Sequence, residues 1–145
     1  MKINIKQDSN VTETEITILC KQIDRELEAV ISNLGLINNS VSGKLDGETF
    51  FIPLGEVLYF ETIDNKTFFY TNDKIYETTT KIYQLEEKLT DTPFVRINKS
   101  SIMNIQKVKS IKSEENSKLM ATLLNGEKIV VSRQYMQNIK TKLGV

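Results

Sequence analysis

At 145 residues, with 39% hydrophobic and 26% charged side chains, the chain has the size and make-up of one ordinary globular domain with a small extension, which excludes disordered and fibrous classes. It has no histidine and a single cysteine, Cys20, which removes His-based acid–base catalysis, a His-activated nucleophile, a Cys/His zinc set and an internal disulfide. The net charge of zero hides an asymmetry: residues 1–93 carry nine bases against sixteen acids, and residues 94–145 carry ten bases against three acids.

In chain order, MKINIKQ alternates Ile3 and Ile5 with polar neighbours, and ETEITILCKQ alternates Ile16, Ile18 and Cys20, so each is predicted as a half-buried strand. Ile16, Cys20, Ile23, Leu27, Val30 and Leu34 also fit one stripe of a single long helix. The β-branched residues around Ile16 and Ile18 favour the strand, leaving DRELEAVISNL as a helix opened by Asp24 and closed by Gly35. LINNSVS, residues 36–42, is the nearest thing to a boundary, and it separates an N-terminal β-β-α segment (1–40) from the rest (41–145).

From Val41 onward short extended pieces are punctuated by turn dipeptides at Asp46-Gly47, Asn72-Asp73 and Asn125-Gly126. In MATLLNGEKIVVS two β-rich runs flank Asn-Gly, which predicts a hairpin with a type I′ turn because both central residues of that turn need positive φ. TTKIYQLEEKLTDTP is predicted as a helix with Ile82, Leu85 and Leu89 on one face and Pro93 beyond its end. The last helix puts Tyr135, Met136, Ile139 and Leu143 on one face, with Ser132 as its cap and Gly144 after its final turn.

The start of the chain lacks the apolar core of a signal peptide. The longest apolar stretch, FFIPLGEVLYF, is broken by Pro53, Gly55 and Glu56, well short of the roughly 18 residues needed to span a bilayer, so a cytoplasmic location is expected. With no glycine-rich phosphate loop either, the chain is not expected to be an enzyme. The cationic C-terminal third suits a polyanion, whose condensed counterions are released on binding; it equally suits attraction to the acidic part of the same chain.

FVRINKSSIMN (94–104) places Asn98, Lys99 and Ser100 between two apolar pieces. Phe94 to Ile97 read as a strand, and Ser100 can cap a brief helix beginning at Ser101, which would set Lys99 at a helix N-terminus where an anion is favoured. The other reading is that Asn98 and Ser100 satisfy turn hydrogen bonds while Lys99 is solvated.

Residues 54–145 resemble the LytTR family of bacterial DNA-binding domains through four motifs in series: GEVLYFETIDNKTFFYT, YETTTKIYQLEEKL, FVRINKSSIMNIQKVKSI and LLNGEKIVVSRQYMQNIKTKL. The resemblance implies a mainly β fold (α+β overall), an elongated antiparallel β-domain with short helices, preceded here by the β-β-α segment. It further implies a transcription regulator that sets loops into successive major grooves; the apolar Ile23, Leu27, Val30, Ile31 and Leu34 in so short an N-terminal element point to a homodimer interface there, and two copies are expected to bind promoter direct repeats. Carried over by position, the first contact falls on Asn65 or Lys66, the second on Lys99 with Ser100 and Ser101, and the third on Arg133 with Gln134. Where many members have His and Arg, this chain has Asn98 and Lys99; lysine lacks the rigid fork of arginine, so both base and phosphate remain open to Lys99. Lys107 and Lys109 would share one side of a strand as backbone contacts, Arg96 is structural, and Phe68, Phe69 and Tyr70 belong to the core. The segment ahead of the domain is too short for a receiver and is similar to the N-terminal piece of stand-alone members, which implies a small membrane protein as inhibitor. No cofactor or metal is expected. A protein-interaction β-domain and an RNA-binding β-domain are the alternatives.

Overall fold

The computed structural model describes residues 1–115 and 118–144. Seven strands form one antiparallel sheet: β1 (Ser40–Leu45), β2 (Glu48–Pro53), β3 (Tyr59–Ile63), β4 (Lys66–Tyr70), β5 (Ile75–Thr78), β6 (Phe94–Asn98) and β7 (Ser101–Asn104), in the order β2-β1-β5-β4-β3-β7-β6. A second sheet holds β8 (Val108–Ser113), β9 (Leu119–Leu123) and β10 (Lys128–Val131), in the order β10-β9-β8. Three helices accompany them: α1 (Arg25–Ile37), α2 (Ile82–Lys88) and α3 (Met136–Leu143).

The alternation of side chains along each strand gives the large sheet two buried faces. On one, Val41, Phe60, Phe69, Tyr76 and Ile102 pack against Ile82 and Leu85 of α2 and Leu89 at its C-cap, on the face the sequence indicated. Gln84 Oε1 accepts from the Lys81 backbone N–H at 3.0 Å and so satisfies one of the unpaired donors at the start of α2. On the other face, Tyr59, Met103, Val95 and Ile97 meet Leu119, Ala121, Leu123 and Val131 of the small sheet and Ile139 of α3. Among the described residues no buried side-chain polar atom lacks a hydrogen-bond partner.

A stacked tyrosine pair helps join the two sheets. The rings of Tyr59 and Tyr70 lie 4.3 Å apart; Tyr59 donates to Glu127 Oε1 and Tyr70 to Glu61 Oε2, each at 2.9 Å. Burial, and then the bonded carboxylate, keep both hydroxyls protonated: Tyr70 is pushed up to about 12, and Tyr59 is raised further. These folded values exceed the unfolded one, so the stabilisation is fully present below about pH 10 and is lost as pH climbs through the folded values. In an absorbance titration, Tyr59 and Tyr70 should therefore ionise above the ordinary tyrosine range, and Glu127→Gln should bring Tyr59 part of the way back toward it.

α1 begins as expected, with the Asp24 carboxylate accepting from Leu27 N at 2.9 Å. It does not stop at Gly35, which is buried inside the helix, where an added Cβ would sit 3.3 Å from Ser40 O and against the Phe51 ring. The chain instead leaves the helix at Asn38 and reverses at Asn39, with φ +57°. α1 lies over β1: Ser32 Oγ is 3.1 Å from Ser42 Oγ, and Glu28 pairs with Lys44.

The two strands expected before α1 are not formed, nor is the single long helix. Residues 1–24 contain no strand or helix, and Ile3, Ile5, Ile16, Ile18 and Leu19 are exposed, so the β-β-α segment reduces to an unpaired chain followed by a helix. Alternation alone does not make a strand, because its backbone needs a ladder partner and none lies beside it. The helix expected at Ser101 is also absent. Ser101–Asn104 is strand β7, fully buried, and FVRINKSSIMN is a β-hairpin in which Asn98 pairs with Ser101. Lys99 is thus on a hairpin turn, not at a helix N-terminus.

The Asn125-Gly126 turn joins β9 to β10 as expected but is not type I′. Gly126 has φ +90° while Asn125 is not in the positive-φ region; Gly126 N donates to Leu123 O and Leu123 N to Glu127 O, which is a three-residue turn with a glycine bulge. Positive φ at both central residues is found at Asp46-Gly47 (+52°, +79°) and Asp64-Asn65 (+50°, +65°). At the C-terminus, Ser132 precedes a short 3-10 turn at Arg133–Tyr135 and makes no side-chain cap bond, while Gly144 ends α3 with φ +72° as expected.

Candidate nucleic-acid interface

Three turns converge on one end of the molecule. The first is the tight Asp64-Asn65 reversal between β3 and β4, closed by the Ile63–Lys66 pair. Asn65 supplies its backbone carbonyl to Lys81 Nζ at 3.3 Å, and the Lys66 side chain is 68% exposed, with its Nζ 4.0 Å from Glu77 Oε1. The second is the Lys99-Ser100 turn of the β6–β7 hairpin. The third is Ser132–Gln134, where β10 ends.

Hydrogen bonds hold these turns together. Thr62 N donates to Ser100 O at 2.8 Å, joining the first and second. Ser132 N donates to Ile97 O at 2.8 Å, and Asn98 Nδ2 donates to Val130 O at 3.1 Å, joining the second and third across the gap between the two sheets. Asn98 also shapes its own turn: its Oδ1 accepts from Ser100 N at 2.9 Å and from Ser100 Oγ at 3.2 Å. Arg96 supports the same turn from below. Its Nε donates to Asn98 O at 2.8 Å, another guanidinium nitrogen donates to Lys99 O, a third lies 3.5 Å from Glu86 Oε1, and its guanidinium sits over the Tyr135 ring. The structural role read for Arg96 is therefore observed.

Of the site residues indicated by sequence, Asn65, Lys66, Lys99, Ser100, Arg133 and Gln134 come to this end. Ser101 is adjacent but 2% exposed, so its side chain is part of the hairpin's interior. Lys99 is exposed and makes no ion pair among the described residues.

Lys107 and Lys109 do not join the group, and they do not share a strand side. Lys107 ends a 3-10 turn (Ile105–Lys107), and Lys109 lies at an irregularity in β8, between Val108 and Ser110. Lys107 lines a hollow with Thr71, Asp73 and Lys74, the turn at the opposite end of β4 from Asn65. At roughly 3.4 Å per strand residue, the length of β4 puts it about 15 Å from the Asn65 turn.

Two features escaped the sequence reading. Lys81 reaches Asn65 from sixteen residues away, which no local pattern can show. The Asp-Asn reversal had a usable signal, since both residue types tolerate positive φ and sit between two β-rich runs.

Fold and site together define a β-type DNA-binding module: cationic and amide-bearing turns are mounted at one end of a paired sheet. Among the described residues no helix is long and apolar enough to cross a membrane, and no cluster of His, Cys, Asp and Glu could hold a metal ion. The family model for the LytTr DNA-binding domain matches residues 47–144. A solved structure, the LytTr DNA-binding domain of a protein from Bacillus cereus described as a methyl-accepting/DNA response regulator, superimposes with a TM-score of 0.68 at 25% identity, covering 74% of this chain and 98% of that one. Proteins of Staphylococcus aureus strains NCTC 8325 / PS 47 and MRSA252, each described as an uncharacterized HTH-type transcriptional regulator, are 26% and 25% identical over 100% of this chain and 99% of their own length.

The chain belongs to the LytTr DNA-binding domain family, a family of DNA-binding regulator domains and not an enzyme class, and is a DNA-binding regulator. Its described residues contain no helix-turn-helix, since strands separate each of the three helices from the next.

Proposed function

We propose that this protein is a transcription regulator that binds promoter direct repeats as a homodimer and reads double-stranded DNA with its three clustered turns in the major groove. What carries the reading is the bonded convergence of the Asn65-Lys66, Lys99-Ser100 and Arg133-Gln134 turns, contributed by two different sheets. Arg133, whose guanidinium can face guanine O6 and N7 as a fork, is the base reader; Lys66 and Lys99 neutralise phosphate and position the domain. Residues 41–145 form the DNA-binding unit, and residues 1–40 contribute to dimer formation. A small membrane protein restrains the regulator in the cell, a reading that rests on likeness to stand-alone members.

Selection of bound duplexes from a random pool tests this directly and should return two repeats at fixed spacing. Arg133→Ala should relax preference at one base position by about 1 to 3 kcal/mol. Lys99→Ala should weaken binding to all sequences and flatten the slope of log K against log salt by about one unit. Lys107→Ala measures the far end: a similar change in slope would mean that flanking DNA reaches it. Tighter binding to single-stranded RNA than to any duplex would instead support the RNA-binding alternative.

A further inference from the structure

We propose that residues 16–21 of one copy add as an antiparallel strand to the free edge of β2 in a second copy, so that two copies exchange N-terminal segments. This deepens the homodimer reading above and rests on it.

β2 is the outermost strand of the large sheet. Its hairpin with β1 is closed by the Leu45–Glu48 pair across Asp46-Gly47, and antiparallel pairs alternate between exchanging hydrogen bonds and not. Positions 48, 50 and 52 thus bond to β1, a series continued by the 2.9 Å bond from Leu54 N to Asn39 O. The N–H and C=O groups of Thr49 and Phe51 therefore point away from the sheet, where no strand pairs with them. Phe51 is 55% exposed above this edge, beside Gly35 of α1.

The occupant has the complementary properties. Residues 16–21, ITILCK, are rich in β-branched and apolar side chains with period-two alternation, and they are unpaired and exposed. Setting Leu19 opposite Phe51 in antiparallel register covers the Phe51 ring with a side chain that is 94% exposed in the single copy. The same register lays Ile18 and Cys20 beside Ile52 and Phe50, two partly buried residues at the margin of the α2-side core, and sets Lys21 opposite Thr49. Backbone hydrogen bonds would supply the attachment and the alternating side chains the register, as in strand addition generally.

Sedimentation of the full chain, with and without DNA, combined with the alkylation rate of Cys20 by N-ethylmaleimide, tests the proposal. The wild type should be a dimer in which Cys20 reacts roughly tenfold or more slowly than in dilute monomer, and Leu19→Pro and Phe51→Lys should each raise the dimer dissociation constant by a similar factor. Leu19 lies outside α1 and both cores, so each copy of Leu19→Pro should still fold, with a cooperative melt whose midpoint falls only by the part that dimer formation contributes. A dimer that survives both substitutions with Cys20 still reactive overturns strand exchange and leaves the homodimer reading intact. A wild type that stays monomeric on and off DNA overturns both. Slow alkylation in a monomer at every dilution would mean that the segment adds to its own sheet, and also overturns exchange.

Discussion

Replacing Asn98 with alanine is expected to destabilise the protein by about 1 to 3 kcal/mol and to weaken DNA binding by a larger factor than that loss alone explains. Three hydrogen bonds go with the side chain: two that shape the Lys99-Ser100 turn and one that ties it to Val130 on the small sheet. The backbone groups left behind regain some water because the site is only partly buried, which keeps the stability loss moderate. Binding depends more steeply on the change, because the turn no longer holds Lys99 at a fixed distance from Arg133. Thermal melting and duplex titration on the same preparation separate the two effects. If melting falls while affinity and sequence preference stay as in the wild type, Asn98 serves the fold alone.

Gly43→Val is expected to be the most destabilising single change, by about 3 kcal/mol or more, a large share of the roughly 5 to 15 kcal/mol that holds a domain of this size. An added Cβ would come within 2.5 and 2.6 Å of the Phe69 ring and 2.7 Å of Tyr76 Cβ. Phe69 is fully buried, and its ring stacks on that of Tyr76 with centroids 5.0 Å apart and planes tilted by 17°, so neither has room to withdraw. Gly43→Ala should cost less, in the range of about 1 to 3 kcal/mol for one inserted carbon. Urea midpoints would measure both, and a Gly43→Val protein within about 0.5 kcal/mol of wild type would contradict this account of the core.

Features decided by neighbouring residues were legible in the sequence. Asp24 as a helix start, the Ile82-Leu85-Leu89 face, the Asn72-Asp73 reversal and Gly144 as a helix stop each depend on a few adjacent side chains, and each is found. Features decided by distant partners were not. Residues 16–20 have the pattern of a strand and lack a ladder; Ser101–Asn104 has a plausible helix cap before it and is a strand because β3 and β6 lie on either side. Gly35 looked like a stop signal and is a packing position because Phe51 and Ser40 crowd it. The type of turn at Asn125-Gly126 follows from the register of β9 and β10 rather than from the dipeptide. The site shows the same division: the residue types of the three turns could be read from the motifs, but Asn98 as the tie between sheets, Lys81 beside Asn65 and the separation of Lys107 could not.

Two of the three turns proposed to read DNA ride on the large sheet and the third on the small one, and the layer between them is filled by Met103, Ala121, Val131 and Ile139. That filling works as a shim: its thickness sets the angle at which Arg133 is presented relative to Lys66 and Lys99. If these turns read DNA as proposed, a bulkier side chain at Ala121, buried between the sheets, would tilt one against the other two and alter which operator geometry fits without changing any proposed contact residue.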